Sequence, residues 1–181
     1  MRVGLAGMLL LSLSACSNLT PVNEDLRSSV GEEDLRQLQL YVSSDIELSR
    51  VLRSEEAGVT AKHSLRVDKG RRVEEVLIAA GTPGILVKAE KLKLCVSFEA
   101  PIGGQEVFIT FVQGNNGTSE GYFMYPDKVQ QGEMFVNYGG VEYRASADSR
   151  VAHLLLEQDK IKVRSKAVRE VSGRRVEEPQ K

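Results

Sequence analysis

Glu133-Met134-Phe135-Val136-Asn137-Tyr138-Gly139-Gly140-Val141-Glu142-Tyr143-Arg144-Ala145 is the stretch whose reading decides the fold. Gly139-Gly140 is a two-residue hairpin signal, because a type I′ turn needs positive φ at both central positions. Closing that turn sets Tyr138 opposite Val141, Val136 opposite Tyr143 and Met134 opposite Ala145, all on one face. Asn137 then meets Glu142, and Phe135 meets Arg144, on the other face. Turn chemistry and period-2 alternation agree, so the stretch predicts an antiparallel hairpin with one apolar side.

Outward from the hairpin the same alternation recurs. Upstream, Val107, Ile109 and Phe111 alternate, and the polar loop Gly114–Gly121 leads into Tyr122–Tyr125. Leu92, Leu94, Val96 and Phe98 alternate with Lys91, Lys93, Cys95 and Ser97. Thr82-Pro83-Gly84 fits a type II turn, Pro83 setting φ and Gly84 taking a positive value. Leu38, Leu40 and Val42 alternate before Ser43-Ser44-Asp45 turns the chain into Ile46 and Leu48. Ala61, His63, Leu65 and Val67 share a face ahead of the turn Asp68–Arg71, which leads into Val73–Ala80. Val151–Gln158 fits either a short helix or a strand. Many short strands with Gly-rich turns predict an all-β, mainly antiparallel domain, a β-sandwich or small β-barrel with at most one short helix. Leu65–Phe98, with its Gly-Thr-Pro-Gly turn, is similar to part of an SH3-like barrel.

The organisation expected is a leader over 1–15, a flexible tether over 16–33, one β domain over 34–171 and a disordered tail over 172–181. The tether assignment rests on polar composition with Pro21 and Gly31 and no sustained period. The chain of 181 residues carries 24 basic and 25 acidic side chains, a formal net charge of −1. A nucleic-acid-binding domain would be clearly basic, so no nucleic-acid partner is expected. Tryptophan is absent, which disfavours an aromatic sugar-stacking platform.

The first sixteen residues carry the most specific motif. Arg2 precedes an apolar run, Val3–Leu13, then small residues and a cysteine, Leu13-Ser14-Ala15-Cys16. As a helix that run would rise only ~16 Å, about half of a ~30 Å hydrocarbon core, so it fits a cleaved signal better than a span. The motif resembles the lipobox of bacterial lipoprotein precursors. That resemblance implies cleavage after Ala15, a diacylglyceryl group on the Cys16 sulfur and a fatty-acylated (often palmitoylated) amino terminus. The resemblance also implies location in the cell envelope. Ser17, rather than Asp, after the cysteine implies the outer membrane, facing the periplasm, in a two-membrane cell. In a one-membrane cell it implies the outer face of the cytoplasmic membrane.

The remaining chemistry is sparse. With Cys16 assigned to lipid, Cys95 is a lone thiol that cannot form an internal disulfide. Paired with His63 or His153 it would be a candidate nucleophile. Its place in Leu94-Cys95-Val96, mid-strand and without a glycine elbow, instead predicts a small buried hydrophobe. Two isolated histidines and one free cysteine lack the close ligand pairs of a zinc site, so no metal is expected. Glu74-Glu75 are strand neighbours that point to opposite faces, not a convergent acid–base pair. If 159–167 is a strand, Lys160, Lys162, Arg164 and Lys166 line one face. That row would suit anionic lipid phosphates or peptidoglycan carboxylates, or simply guard a solvated edge. The sequence thus predicts a lipid-anchored, non-catalytic binding or scaffolding module with envelope protein partners and no cofactor beyond the lipid. A small-ligand carrier and an enzyme using Cys95 are the alternatives.

Overall fold

The computed structural model describes residues 18–52, 64–68, 71–115 and 120–165. In chain order the first strands are β1 (Leu19–Pro21), β2 (Leu40–Val42), β3 (Ile46–Val51), β4 (Ser64–Asp68), β5 (Arg71–Ile78) and β6 (Pro83–Glu90). They are followed by β7 (Lys93–Ser97), β8 (Ile109–Asn115), β9 (Glu120–Met124), β10 (Lys128–Gln130), β11 (Glu133–Tyr138), β12 (Val141–Ala145) and β13 (Leu154–Glu157). Helices α1 (Glu24–Val30), α2 (Glu32–Leu35) and α3 (Gln158–Ser165) and a 3-10 turn, Ala147–Val151, complete the described elements. The fold is mostly antiparallel β in two sheets, as the alternation predicts, although its short helices outnumber the one expected.

The hairpin forms with the predicted register, Tyr138 opposite Val141 through Met134 opposite Ala145. Gly139 and Gly140 both have positive φ, 61° and 80°. The hairpin belongs to a six-stranded sheet ordered β10-β11-β12-β3-β5-β4. The other sheet is ordered β1-β13-β2-β6-β7-β8-β9 and curls until its ends meet. There the Tyr122 N–H donates to the Val22 carbonyl at 3.1 Å, Met124 N–H donates to Ala152 at 2.8 Å, and Phe123 bridges His153. Closure removes the sheet's edges. Inward residues alternate with outward ones around this barrel, and Leu40, Leu94, Ile109, Phe111, Tyr122 and Leu154 are wholly buried within it.

Strand direction sorts the connections. β2, β7 and β9 finish, and β6, β8 and β13 begin, at one end of the barrel. Every described passage to the six-stranded sheet leaves from that end, at 43–45, 79–82, 125–127 and 146–153. The opposite end carries the first residue of β1, the 91–92 turn and the step from β13 into α3. α1 is docked there through Arg27, which donates to the carbonyls of Glu90 (2.7 Å) and Lys91 (2.8 Å) and to the hydroxyl of Tyr122 (2.8 Å). Tyr122 in turn donates to Glu24 at 2.5 Å.

Several expectations are corrected. Residues 19–33, expected as tether, are folded: β1 pairs with β13, Val22 is wholly buried, and Asn23 caps α1 by accepting from the Leu26 N–H. Val22, Leu26 and Val30 recur every fourth residue, which is the helical signal beneath the polar composition. The positive φ expected at Gly84 belongs to Gly81 (78°), where the Thr82 N–H donates to Ala79 across a four-residue turn. Gly84 lies inside β6 for a packing reason: a Cβ there would sit 2.6 Å from Val96 Cγ1 and 2.8 Å from the Phe98 ring. The SH3-like stretch is divided, β4 and β5 lying in one sheet and β6 and β7 in the other. Finally, 158–165 is helix and not strand. A repeat of 3.6 residues separates positions 160 and 164 from position 162, so the predicted single-faced row of Lys160, Lys162, Arg164 and Lys166 is not formed. Lys166 and the 172–181 tail lie outside the described residues.

Candidate functional site

On the six-stranded sheet one face is apolar and packed. Ile46, Leu48, Val76, Ile78, Met134, Val136 and Tyr143 belong to the hydrophobic core. The alternate residues face outward, and near the 3-10 turn they enclose a groove of about 620 Å³. Its principal side chains are Glu47 of β3, Glu75 and Leu77 of β5, Glu133 of β11, Arg144 of β12, and Arg150. Arg144 donates to Glu133 at 2.9 Å across the hairpin. Leu77 is 62% exposed on the floor.

The wall beyond β12 is held by hydroxyls. Ser149, wholly buried, accepts from the Glu47 N–H at 2.9 Å, and the Ser146 N–H donates to the Glu47 carbonyl at 2.9 Å. Ser146 and Ser149 hydroxyls also meet at 2.9 Å. These bonds continue the β3–β12 pairing into the 3-10 turn and fix where Arg150 starts. Strand-borne side chains on a paired sheet have little backbone freedom, so the groove is a pre-formed surface. Three carboxylates, two guanidinium groups and an apolar patch together suit a ligand carrying both charge signs beside an apolar group, as a peptide segment does.

Beneath the groove lies a buried charge. Glu74 is wholly buried and faces Arg50, whose Nε lies 2.5 Å from the Glu74 carboxylate. The Arg50 guanidinium stands 5.6 Å from the Tyr143 ring centroid. Burial, and next the nearby Glu74 charge, hold the Tyr143 phenol above its ordinary value. Glu75, one residue on, lies in the groove, so the adjacent carboxylates do face opposite ways.

The predicted nucleophile is not assembled with a described base. Cys95 is buried on β7, where burial pushes its thiol up against the opposing influence of a Thr110 hydrogen bond. His153 is engaged elsewhere: its Nδ1 lies 2.9 Å from the Ser43 hydroxyl and 3.1 Å from the Val151 carbonyl, and the Phe123 ring, tilted by 50°, has its centroid 5.4 Å away. Strands β8 and β9 stand between the two residues. His63 lies outside the described residues. Among the described residues there is no cluster of three or more His, Cys, Asp or Glu side chains placed to hold a metal ion.

Leu13, Ser14, Ala15 and Cys16 also lie outside the described residues. The described chain begins at Asn18, whose carbonyl accepts from the Gln158 N–H at 2.9 Å, where β13 passes into α3. Among the described residues no helix is long and apolar enough to cross a membrane. Sequence reasoning identified the outward face of the hairpin but not the groove, since nothing local pairs β12 with β3. No family model, curated protein or solved structure matches the chain.

Proposed function

We propose that this chain is a cell-envelope lipoprotein, anchored through lipid on Cys16, whose body serves as a non-catalytic binding module within an envelope assembly. The observation that carries the binding role is the pre-formed groove of mixed charge on the six-stranded sheet. It offers Arg150, Arg144 and three glutamates around an exposed leucine, a surface fitted to a peptide segment of a protein partner. The barrel supports this over a carrier role, because its interior is occupied by large side chains such as Phe111 and Tyr122. The anchor rests on Leu13-Ser14-Ala15-Cys16 and the apolar run before it.

The test is site-specific photo-crosslinking in living cells, with the crosslinker at Leu77 in the groove and, as control, at Glu106 outside it. A discrete protein adduct at Leu77 that is missing at Glu106, and lost with Cys16→Ser, supports an anchored binding module. Equal adduct patterns at the two positions overturn the groove as the binding surface. Peptidoglycan fragments in place of protein at Leu77 would redirect the proposal to a cell-wall ligand.

A further inference from the structure

Three features on opposite sides of the molecule bear on how the body stands at a membrane. The first is reach. Cys16 precedes Asn18 by two residues, and two residues span at most ~7 Å. Asn18 is itself fixed, by its bond to Gln158 and by the pairing of Leu19 with Glu157 that follows. An acyl group on Cys16 therefore has no tether behind it: the body begins where the lipid ends.

The second is which end of the body that is. Leu19 opens β1 at the barrel end carrying the 91–92 turn and the α1 dock, opposite the end from which every described passage to the six-stranded sheet departs. The turn at the anchored end reads Lys91-Leu92-Lys93, with Leu92 half exposed between two exposed lysines. A protruding aliphatic side chain flanked by lysines suits the boundary between acyl chains and headgroups, where the lysine stems snorkel. The third is the groove: its Arg150 lies in the 146–153 passage at the far end, and its Glu47 is the second residue of β3, directly after the 43–45 passage.

From these we infer that the partner of the helix-covered barrel end is the lipid bilayer surface itself. The barrel stands on it as a pedestal and the groove faces away. β6 alone, eight residues long, spans roughly 25 Å along its axis. The groove is thus held roughly 20 Å or more off the surface, allowing for strand tilt. The contact is set by covalent reach and one apolar tip. The same end also bears the carboxylates of Asp25 and Asp159, so attraction to anionic lipid is not its basis, and the arrangement forms on zwitterionic lipid. This inference rests on the lipid anchor proposed above.

The test uses the full-length protein extracted from membranes. Mass spectrometry first establishes whether Cys16 carries diacylglycerol. The protein, in a Cys95→Ser background with Lys93→Cys or Arg150→Cys carrying a fluorophore, is then reconstituted into phosphatidylcholine vesicles with a headgroup-linked quencher. The inference expects loss of most emission at position 93 and little at 150. A long Gly/Ser insertion after Ser17 should bring position 93 toward the value at 150. Lipid on Cys16 with equal quenching at both positions overturns the standing orientation alone. No lipid on Cys16 overturns the anchor, and this inference with it.

Discussion

The two sheets solve the same problem differently. The barrel has consumed its own edges, and among the described residues its wholly buried inward side chains are apolar apart from the Tyr122 hydroxyl, which Glu24 and Arg27 engage. Among the described residues the six-stranded sheet stays open, ends on the short exposed strand β10, and keeps a charged pair, Arg50 and Glu74, on its packed side. Closure gives a strand set that must exist whole. An open sheet can leave a face, an edge and a buried charge for other purposes. The contrast predicts that the barrel is the more stable half, and it leaves the outer face of the open sheet for the recognition proposed above.

The sharpest way to break this contrast is at the barrel centre. Phe111→Ala removes a wholly buried ring and should cost about 3–5 kcal/mol in urea unfolding. A cost near that of a surface substitution would show that the barrel is not the stable half. The open sheet answers next. Glu74→Gln removes the carboxylate that faces the Arg50 guanidinium and should cost about 3 kcal/mol. The double variant Arg50→Met with Glu74→Leu should cost less than the single one, since a buried pair is dearer to break than to replace. If the double variant is the worse of the two, the pair holds more together than itself.

High pH separates the regions more gently. Burial, then a hydrogen bond to Glu99, raises the Tyr138 phenol far above its ordinary 10, and burial likewise raises Tyr143 and Tyr122. The unfolded chain releases these protons near pH 10 while the folded chain holds them. Stability present below pH 10 is therefore lost as pH climbs from there, by up to ~1.4 kcal/mol per pH unit for each phenol. Tyr138→Phe should flatten part of that slope, measured by urea midpoints from about pH 9 upward. An unchanged slope would place the loss at phenols other than Tyr138, with Tyr143 and Tyr122 next to test. The smallest effect belongs to the groove. Arg144→Ala severs an exposed pair with Glu133 and should change stability by only ~0–1 kcal/mol. It should still weaken any groove-dependent crosslink, which divides recognition from folding.

What the sequence disclosed follows from how local each cause is. The hairpin was legible because Gly139-Gly140 and the alternation on either side demand the same register. α1 was not, because its seven residues carry only Leu26 and Val30 among Ser, Glu, Asp and Arg, too short a repeat to stand out, and its stability comes from Arg27 reaching carbonyls at 90–91. Residues 158–165 misled for the reverse reason: alternating charge and aliphatic residues mimic a strand, yet the chain has already left the sheet at Glu157. Thr82-Pro83-Gly84 carried turn chemistry, but the positive φ expected at Gly84 falls three residues earlier, at Gly81. The groove could not be read at all, since Arg144 meets Ser49 only through long-range pairing. Cys95 was legible as a buried strand residue, and its position gives it no described histidine partner.

The way the chain enters the body has a mechanical meaning. Force applied to the backbone ahead of Leu19 runs along the axis of β1, whose hydrogen bonds to β13 lie across that direction. A strand loaded in this manner is sheared, so its bonds must yield together and not one after another as in a peeled edge. Beyond it the load meets Arg27, clasped to the 90–91 carbonyls. The first point of strain is thus also a doubly fastened one, and a pull from that side should find this domain hard to unravel from its N-terminal end.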